Sequence, residues 1–258
     1  MLMHFTAWQW GLGAVAALFV GITKTGIPGA GILVVPLLAN AFGGVQALGV
    51  MLPMLIFGDC FAVLWYKRHA QWDKILSLLP WVVVGMAVGS GALWAVGHME
   101  GHKGILDKII GTMVLIMLAL YLLQGRLGGR LTPKSRIGTA CTGVAAGFAT
   151  AVSNAAGSIM SIYMAAQQVT KEQFMGTLAW YYFILNLSKV PIYIYLTLDN
   201  PAKPVYTPHT LLFNLLICPL ILVGVFIGKW MLPRISQEAF EKTVLVLAAA
   251  ASVKLIIG

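Results

Sequence analysis

The chain has 258 residues, of which 59% are apolar and 10% charged, with a formal net charge of +9 and a mean hydropathy of +0.87. So apolar a composition excludes a soluble globular domain and indicates an integral membrane protein. The basic excess falls in short loops between apolar stretches, which is a pattern of membrane orientation and gives no support to nucleic-acid binding.

From the N-terminus, the opening MLMHFTAWQW lacks the basic region that precedes a cleavable signal core, so Met1 is expected to stay on the protein. Hydrophobic segments follow at 8–22, 29–42, 45–66, 75–97, 105–124, 138–166, 174–197, 208–231 and 241–258. Windows such as 75–97 and 208–228 contain no Lys, Arg, Asp or Glu, and a helical span needs about 20 such residues. The apolar runs do not alternate with polar residues as a closed barrel requires, so the spans are predicted to be helices. Trp8, Trp10, Trp65, Tyr66, Trp72, Trp94 and Trp230 lie near span ends and read as interfacial anchors. Cys60, Cys141 and Cys218 are single and widely spaced inside apolar segments, which suits packing better than disulfides, metal or redox chemistry.

The stretch 125–136, GRLGGRLTPKSR, is a basic linker that divides the chain into an N-terminal repeat, 1–124, and a C-terminal repeat, 137–258. A shift of 126 aligns Gly21 with Gly147 and Gly31 with Gly157, and a shift of 127 aligns Gly49 with Gly176, Asp59 with Asn186 and Tyr66 with Tyr193. A shift of 139 then matches Pro80, Gly85 and Gly89 to Pro219, Gly224 and Gly228. The pairs Gly85/Gly89 and Gly224/Gly228 fit close helix packing, either within the chain or between protomers of a homodimer.

Two arrangements of the halves compete. If each is a broken or re-entrant helical hairpin plus three transmembrane helices, the repeats are inverted, and the loop Lys and Arg residues divide eleven inside against four outside. Four full spans per half would make the repeats parallel and divide the same residues nine against six. The positive-inside rule favours inversion, an architecture recurrent in secondary transporters, with substrate near the midplane.

The segment GITKTGIPGAGILVVP at 21–36 sets Lys24 beside helix breakers in an apolar context. Gly26, Pro28, Gly29 and Gly31 free backbone N–H groups, which a bilayer tolerates only where protein, water or ligand satisfies them. A helix starting near Gly29 would aim its positive end at the break, so Lys24, with the hydroxyls of Thr23 and Thr25, reads as an anion site. The matching stretch of the second half offers Ser153, Asn154, Gly157 and Ser158 but no proline. Two such breaks facing one another across a pseudo-twofold axis would enclose one small site. Asp59 lies deep in an apolar span, where it either neutralises Lys24 as a structural pair or carries a coupling proton. Asn186, its repeat mate, keeps the position polar, and Lys189, three residues on, shares a helical face with it as a second anion contact. The plain alternative for both lysines is snorkelling to the interface from a nearby helix end.

The Gly- and Pro-rich break followed by ILVVPLL, the helix 45–66 ending in the basic YKRHAQWD loop, and the weaker repeat after 138 resemble the sulfite exporter TauE/SafE family of membrane permeases, also called the toluene sulfonate uptake permease family. The resemblance covers essentially the whole chain. It implies transport of a small sulfur-containing anion, such as sulfite, thiosulfate or an organosulfonate, across a bacterial inner membrane by a multi-pass protein. Alternating access is the expected mechanism, with proton coupling open. An anion channel using the same site as a filter, and a membrane-embedded enzyme or assembly factor with Asp59 and His69 as its acid-base pair, stand as alternatives. No phosphate-binding loop or soluble catalytic domain is visible, and no His or Met pair recurs at ligand spacing inside the spans, so neither ATP hydrolysis, nor a cofactor, nor a metal is expected.

Overall fold

The computed structural model describes residues 5–27, 34–42, 44–97, 112, 115–116, 119, 135–153, 156–199, 201 and 204–257. Its elements are α1 (Ala7–Thr25), α2 (Val34–Phe42), α3 (Gly44–Tyr66), α4 (Trp72–Gly97), α5 (Arg136–Ser153), α6 (Ala156–Ala166), α7 (Lys171–Asp199), α8 (Pro208–Met231) and α9 (Gln237–Ile257), with single 3-10 turns at Lys67–His69 and Leu232–Arg234. No strand occurs among the described residues. The stretches Gln46–His69, Trp72–Ala92 and Pro208–Arg234 are long and apolar enough to cross a membrane, so the chain is an all-α membrane protein.

The helix ends follow local chemistry. Thr6 caps α1 by accepting from the Gln9 N–H, while the Gln9 side chain accepts from the Thr6 N–H at 2.9 Å. Gly26 closes α1 and donates to Ile22 O. Thr207 caps α8 in the same way, with Pro208 in the first turn, where a missing N–H costs nothing. The predicted apolar stretch 138–166 is divided between α5 and α6. Residue 136, counted in the linker, opens α5. The rest of the linker through 134, and most of 105–124, lie outside the described residues.

The chain forms two compact units, each built from both sequence halves. One combines Met1–Ala70 with Met175–Ile235, and the other combines Gln71–Phe174 with Ser236–Gly258.

In the first unit α1 lies along α8 in the same direction. A Cβ at Gly21 would meet the backbone of Ile221, Gly224 and Val225, and one at Gly26 would meet Gly228. Glycine is what allows two backbones to approach this closely, and such contact is a main source of helix association in lipid. The chain then doubles back: Phe42 at the end of α2 packs edge-on to Phe5 at 5.5 Å, and Gln9 Nε2 donates to Ala41 O. The helix α3 sets out parallel to α1, so that Tyr66 at its end donates to Thr25 O at the end of α1 (2.9 Å). The helix α7 runs the opposite way to α3. Gly176, near its start, abuts Tyr66, His69 and Ala70, whereas Gly49, near the start of α3, abuts Val205 beyond the end of α7. A buried apolar cluster of α1, α2, α3 and α8, including Ala17, Leu38, Met54, Phe213 and Ile221, fills the unit. Exposed Lys67, Arg68, Lys229 and Arg234 gather at one end of it, where Lys229 lies 4.1 Å over the Trp65 ring.

In the second unit α4 and α5 pack as α8 and α1 do in the first. A Cβ at Gly147 would meet Val82 and Met86, one at Gly85 would meet Val144, and one at Gly89 would meet Phe148 and Ala151. In the first unit Gly224 meets Leu18 and Gly228 meets Ile22 and Thr25. The two sets correspond residue by residue under shifts of 126 and 139. The helix α9 is joined to the start of α7 by Phe174 against Phe240 (5.1 Å) and by Gln237, which accepts from Lys171 N and donates to Val169 O.

Several sequence expectations need correction. Of the two uses open to the paired glycines 85/89 and 224/228, the structure shows packing within the chain. Tyr66 is buried and structural, and Trp10 and Trp65 pack in aromatic clusters with Phe213 and Phe226; Trp8, Trp72 and Trp230 are exposed, and the side chain of Trp94 is not among those described. Cys60 and Cys141 are free thiols on the exposed surface, so they do not fill the core.

Candidate functional site

The site lies in the first unit, where α1, α3 and α7 meet. Lys24 occupies the last turn of α1, at the negative end of the helix dipole, which favours a cation. Gly58 leaves room for its stem: a Cβ there would come within 3.0 Å of Lys24 Cγ. The ammonium therefore reaches past α3 and pairs with Asp59 Oδ1 at 2.7 Å.

Asp59 is fully buried, and its second oxygen accepts from Asn186 Nδ2 at 2.7 Å. Asn186 Oδ1 in turn faces Lys189 Nζ at 3.5 Å, one turn along α7. Tyr182, one turn before Asn186 on the same helix, presents its ring to the Lys24 ammonium with 4.7 Å to the centroid. All four members of the chain Lys24–Asp59–Asn186–Lys189 are buried, with relative exposures of 9%, 0%, 3% and 4%.

The electrostatics follow from the count. Two buried lysines accompany Asp59, the one buried acid among the described residues, Lys24 directly and Lys189 by way of Asn186. With all three ionised, the cluster carries one positive charge in excess. Even one charge set centrally in a bilayer costs roughly 2.5–3.5 kcal/mol on insertion scales, so the arrangement favours an entering anion.

The other sequence candidates are placed differently. The Thr25 hydroxyl donates to Val225 O at 2.7 Å, with Gly21 O also within reach at 3.1 Å, and so fastens α1 to α8. Gly26 is the helix cap, and a Cβ there would meet Gly228. Thr23 Oγ1 is buried and has no hydrogen-bond partner among the described residues. Gly29 and Gly31, and with them the expected helix start near Gly29, lie outside the described residues, as does Asn154. In the second unit Ser153 is the last residue of α5, and Gly157 and Ser158 fall in the first turn of α6. Sequence reasoning missed Tyr182 and Gly58. Tyr182 lies four residues before Asn186 and seven before Lys189, a helical spacing that places it on the same face.

Among the described residues no group of three or more His, Cys, Asp or Glu side chains is gathered as a metal site. The model of the family described as Sulfite exporter TauE/SafE matches residues 13–255, nearly the whole chain. The chain belongs to the Sulfite exporter TauE/SafE family. No curated protein and no solved structure matches it. TauE/SafE proteins are membrane transporters, and the site described above lies wholly within the span that the family model covers.

Proposed function

We propose that this TauE/SafE protein is a secondary transporter of a small sulfur-containing anion, such as sulfite, thiosulfate or an organosulfonate, in the bacterial inner membrane. The observation that carries the reading is the burial of two lysines, Lys24 and Lys189, beside Asp59, the one buried acid among the described residues. The anion binds by adding its charge to this cluster, in which Asn186 links the Asp59 carboxylate to the Lys189 ammonium.

Alternating access between inverted repeats is the proposed mechanism. Two observations support it. The glycine contacts of α1 with α8 recur between their repeat mates α5 and α4. The mates α3 and α7 run antiparallel and meet directly at Asp59 and Asn186, the residues that the 127-residue shift makes equivalent. A twofold axis perpendicular to the helices has this consequence, and a parallel repeat does not. The gathering of Lys67, Arg68, Lys229 and Arg234 at one end supports a cytoplasmic position for that end.

Proteoliposomes preloaded with unlabelled sulfite or thiosulfate and diluted into trace labelled anion test the reading. Uptake accelerated by anion on the opposite side is the expected result. Flux indifferent to that anion would favour the channel, and no flux of either sulfur anion would remove the transport reading.

A further inference from the structure

The Tyr182 hydroxyl, like that of Thr23, is a buried polar group near the lysines without a hydrogen-bond partner among the described residues, although the ring that carries it lies against the Lys24 ammonium. The ring is held in place: Tyr181, itself fully buried, packs edge-on to it at 5.2 Å between centroids. A buried hydroxyl without a partner is costly. A donor carried on a ring that lies against an ammonium suits an acceptor that carries negative charge on more than one atom.

Resting on the transport reading above, we infer that Tyr182 contacts the substrate and sets its class: its O–H donates to one oxygen of an oxyanion while the Lys24 ammonium meets another. Sulfite, thiosulfate and sulfonates each present several oxygens on one centre and can take both donors together. A halide can accept from both only where the two donors converge on one point, whereas an oxyanion offers each donor an oxygen of its own. Tyr182 is thus a specificity-determining residue that favours oxyanions over monatomic anions of equal charge. Its ring has a separate role, since a cation over an aromatic face is held without being neutralised, which leaves Lys24 free to serve both Asp59 and the anion.

The test is a binding titration of sulfite, thiosulfate and chloride against purified wild type and Tyr182→Phe, read as thermal stabilisation and by calorimetry. The variant keeps the ring and removes only the hydroxyl. Its unliganded melting temperature is expected to be equal to that of wild type or higher, because deleting an unpartnered buried hydroxyl removes a penalty. Its affinity for sulfite and thiosulfate is expected to fall about ten-fold or more, the usual effect of losing a hydrogen bond to a charged group, with a smaller change for chloride. Wild-type binding with an unchanged oxyanion-to-chloride margin in the variant would overturn the role of Tyr182 alone. A lowered unliganded melting temperature would also overturn it, since the hydroxyl would then have a partner within the protein. Absence of oxyanion binding in wild type would overturn the transport reading, and this inference with it.

Discussion

The two sequence halves use one packing scheme and load it with different chemistry. In the first unit α1 crosses α8 at Gly21, Gly224 and Gly228; in the second, α5 crosses α4 at Gly147, Gly85 and Gly89. At the end of α1, however, stand Lys24 and Thr25, where the corresponding positions near the end of α5 hold Thr150 and Ala151. The helices α3 and α7 differ likewise: Asp59 answers to Asn186, Leu55 to Tyr182 and Ala62 to Lys189. A backbone symmetry is thus kept by glycines while the charges are placed asymmetrically, so that two lysines and one acid converge in a single buried cluster.

The comparison can be broken at the charges first. Asp59→Ala leaves two buried ammonium groups without their carboxylate and is expected to cost about 3–5 kcal/mol, the usual penalty for halving a buried pair, seen as a large drop in melting temperature or loss of folded protein in detergent. Thr150→Ala, at the position corresponding to Lys24, is expected to change stability by about 1 kcal/mol or less. A comparable collapse in both variants would mean that the asymmetry of charge is not what distinguishes the halves.

The shared scaffold should respond equally in its two copies. Gly21→Ala and Gly147→Ala each drive a methyl group into facing backbone, and overpacking of this kind costs about 1–3 kcal/mol. Matched losses in melting temperature are expected, and a loss confined to one variant would show that the packing scheme is not equivalent. The smallest effect belongs to the fastening of α1 in the first unit alone. Thr25→Val removes the hydroxyl that bonds Val225 O and is expected to cost about 1 kcal/mol, with Ala151→Val, its counterpart, showing no loss of a hydrogen bond.

Much of this was legible in the sequence, and the reason differs by element. Spans such as 45–66 and 208–231 are read from hydropathy because lipid demands continuous apolar surface, and α3 and α8 keep nearly those bounds. Asp59, Asn186 and Lys189 stood out because a polar residue deep in a span is expensive and so calls for a role. Lys24 stands out too, with Asp59 as one reading of its partner, but the room that Gly58 leaves for the Lys24 stem between α1 and α3 is revealed by no periodicity. Tyr182 was hidden for the opposite reason: among aromatic residues of an apolar helix a tyrosine reads as packing, and only the burial of its hydroxyl beside an ammonium sets it apart. Thr25 reads as a ligand from its position, whereas its hydroxyl bonds Val225 O, because a hydroxyl in a helix is as ready to bond a neighbouring carbonyl as a substrate.

The most direct test of the account is the affinity of the purified protein for sulfite with Lys189 replaced by Met, which keeps the length of the side chain and removes the excess charge. The cluster predicts a folded protein whose affinity for sulfite is about ten-fold lower or worse. A folded Lys189→Met protein that binds sulfite as tightly as wild type would contradict the assignment of the Lys24–Asp59–Asn186–Lys189 cluster as the anion site.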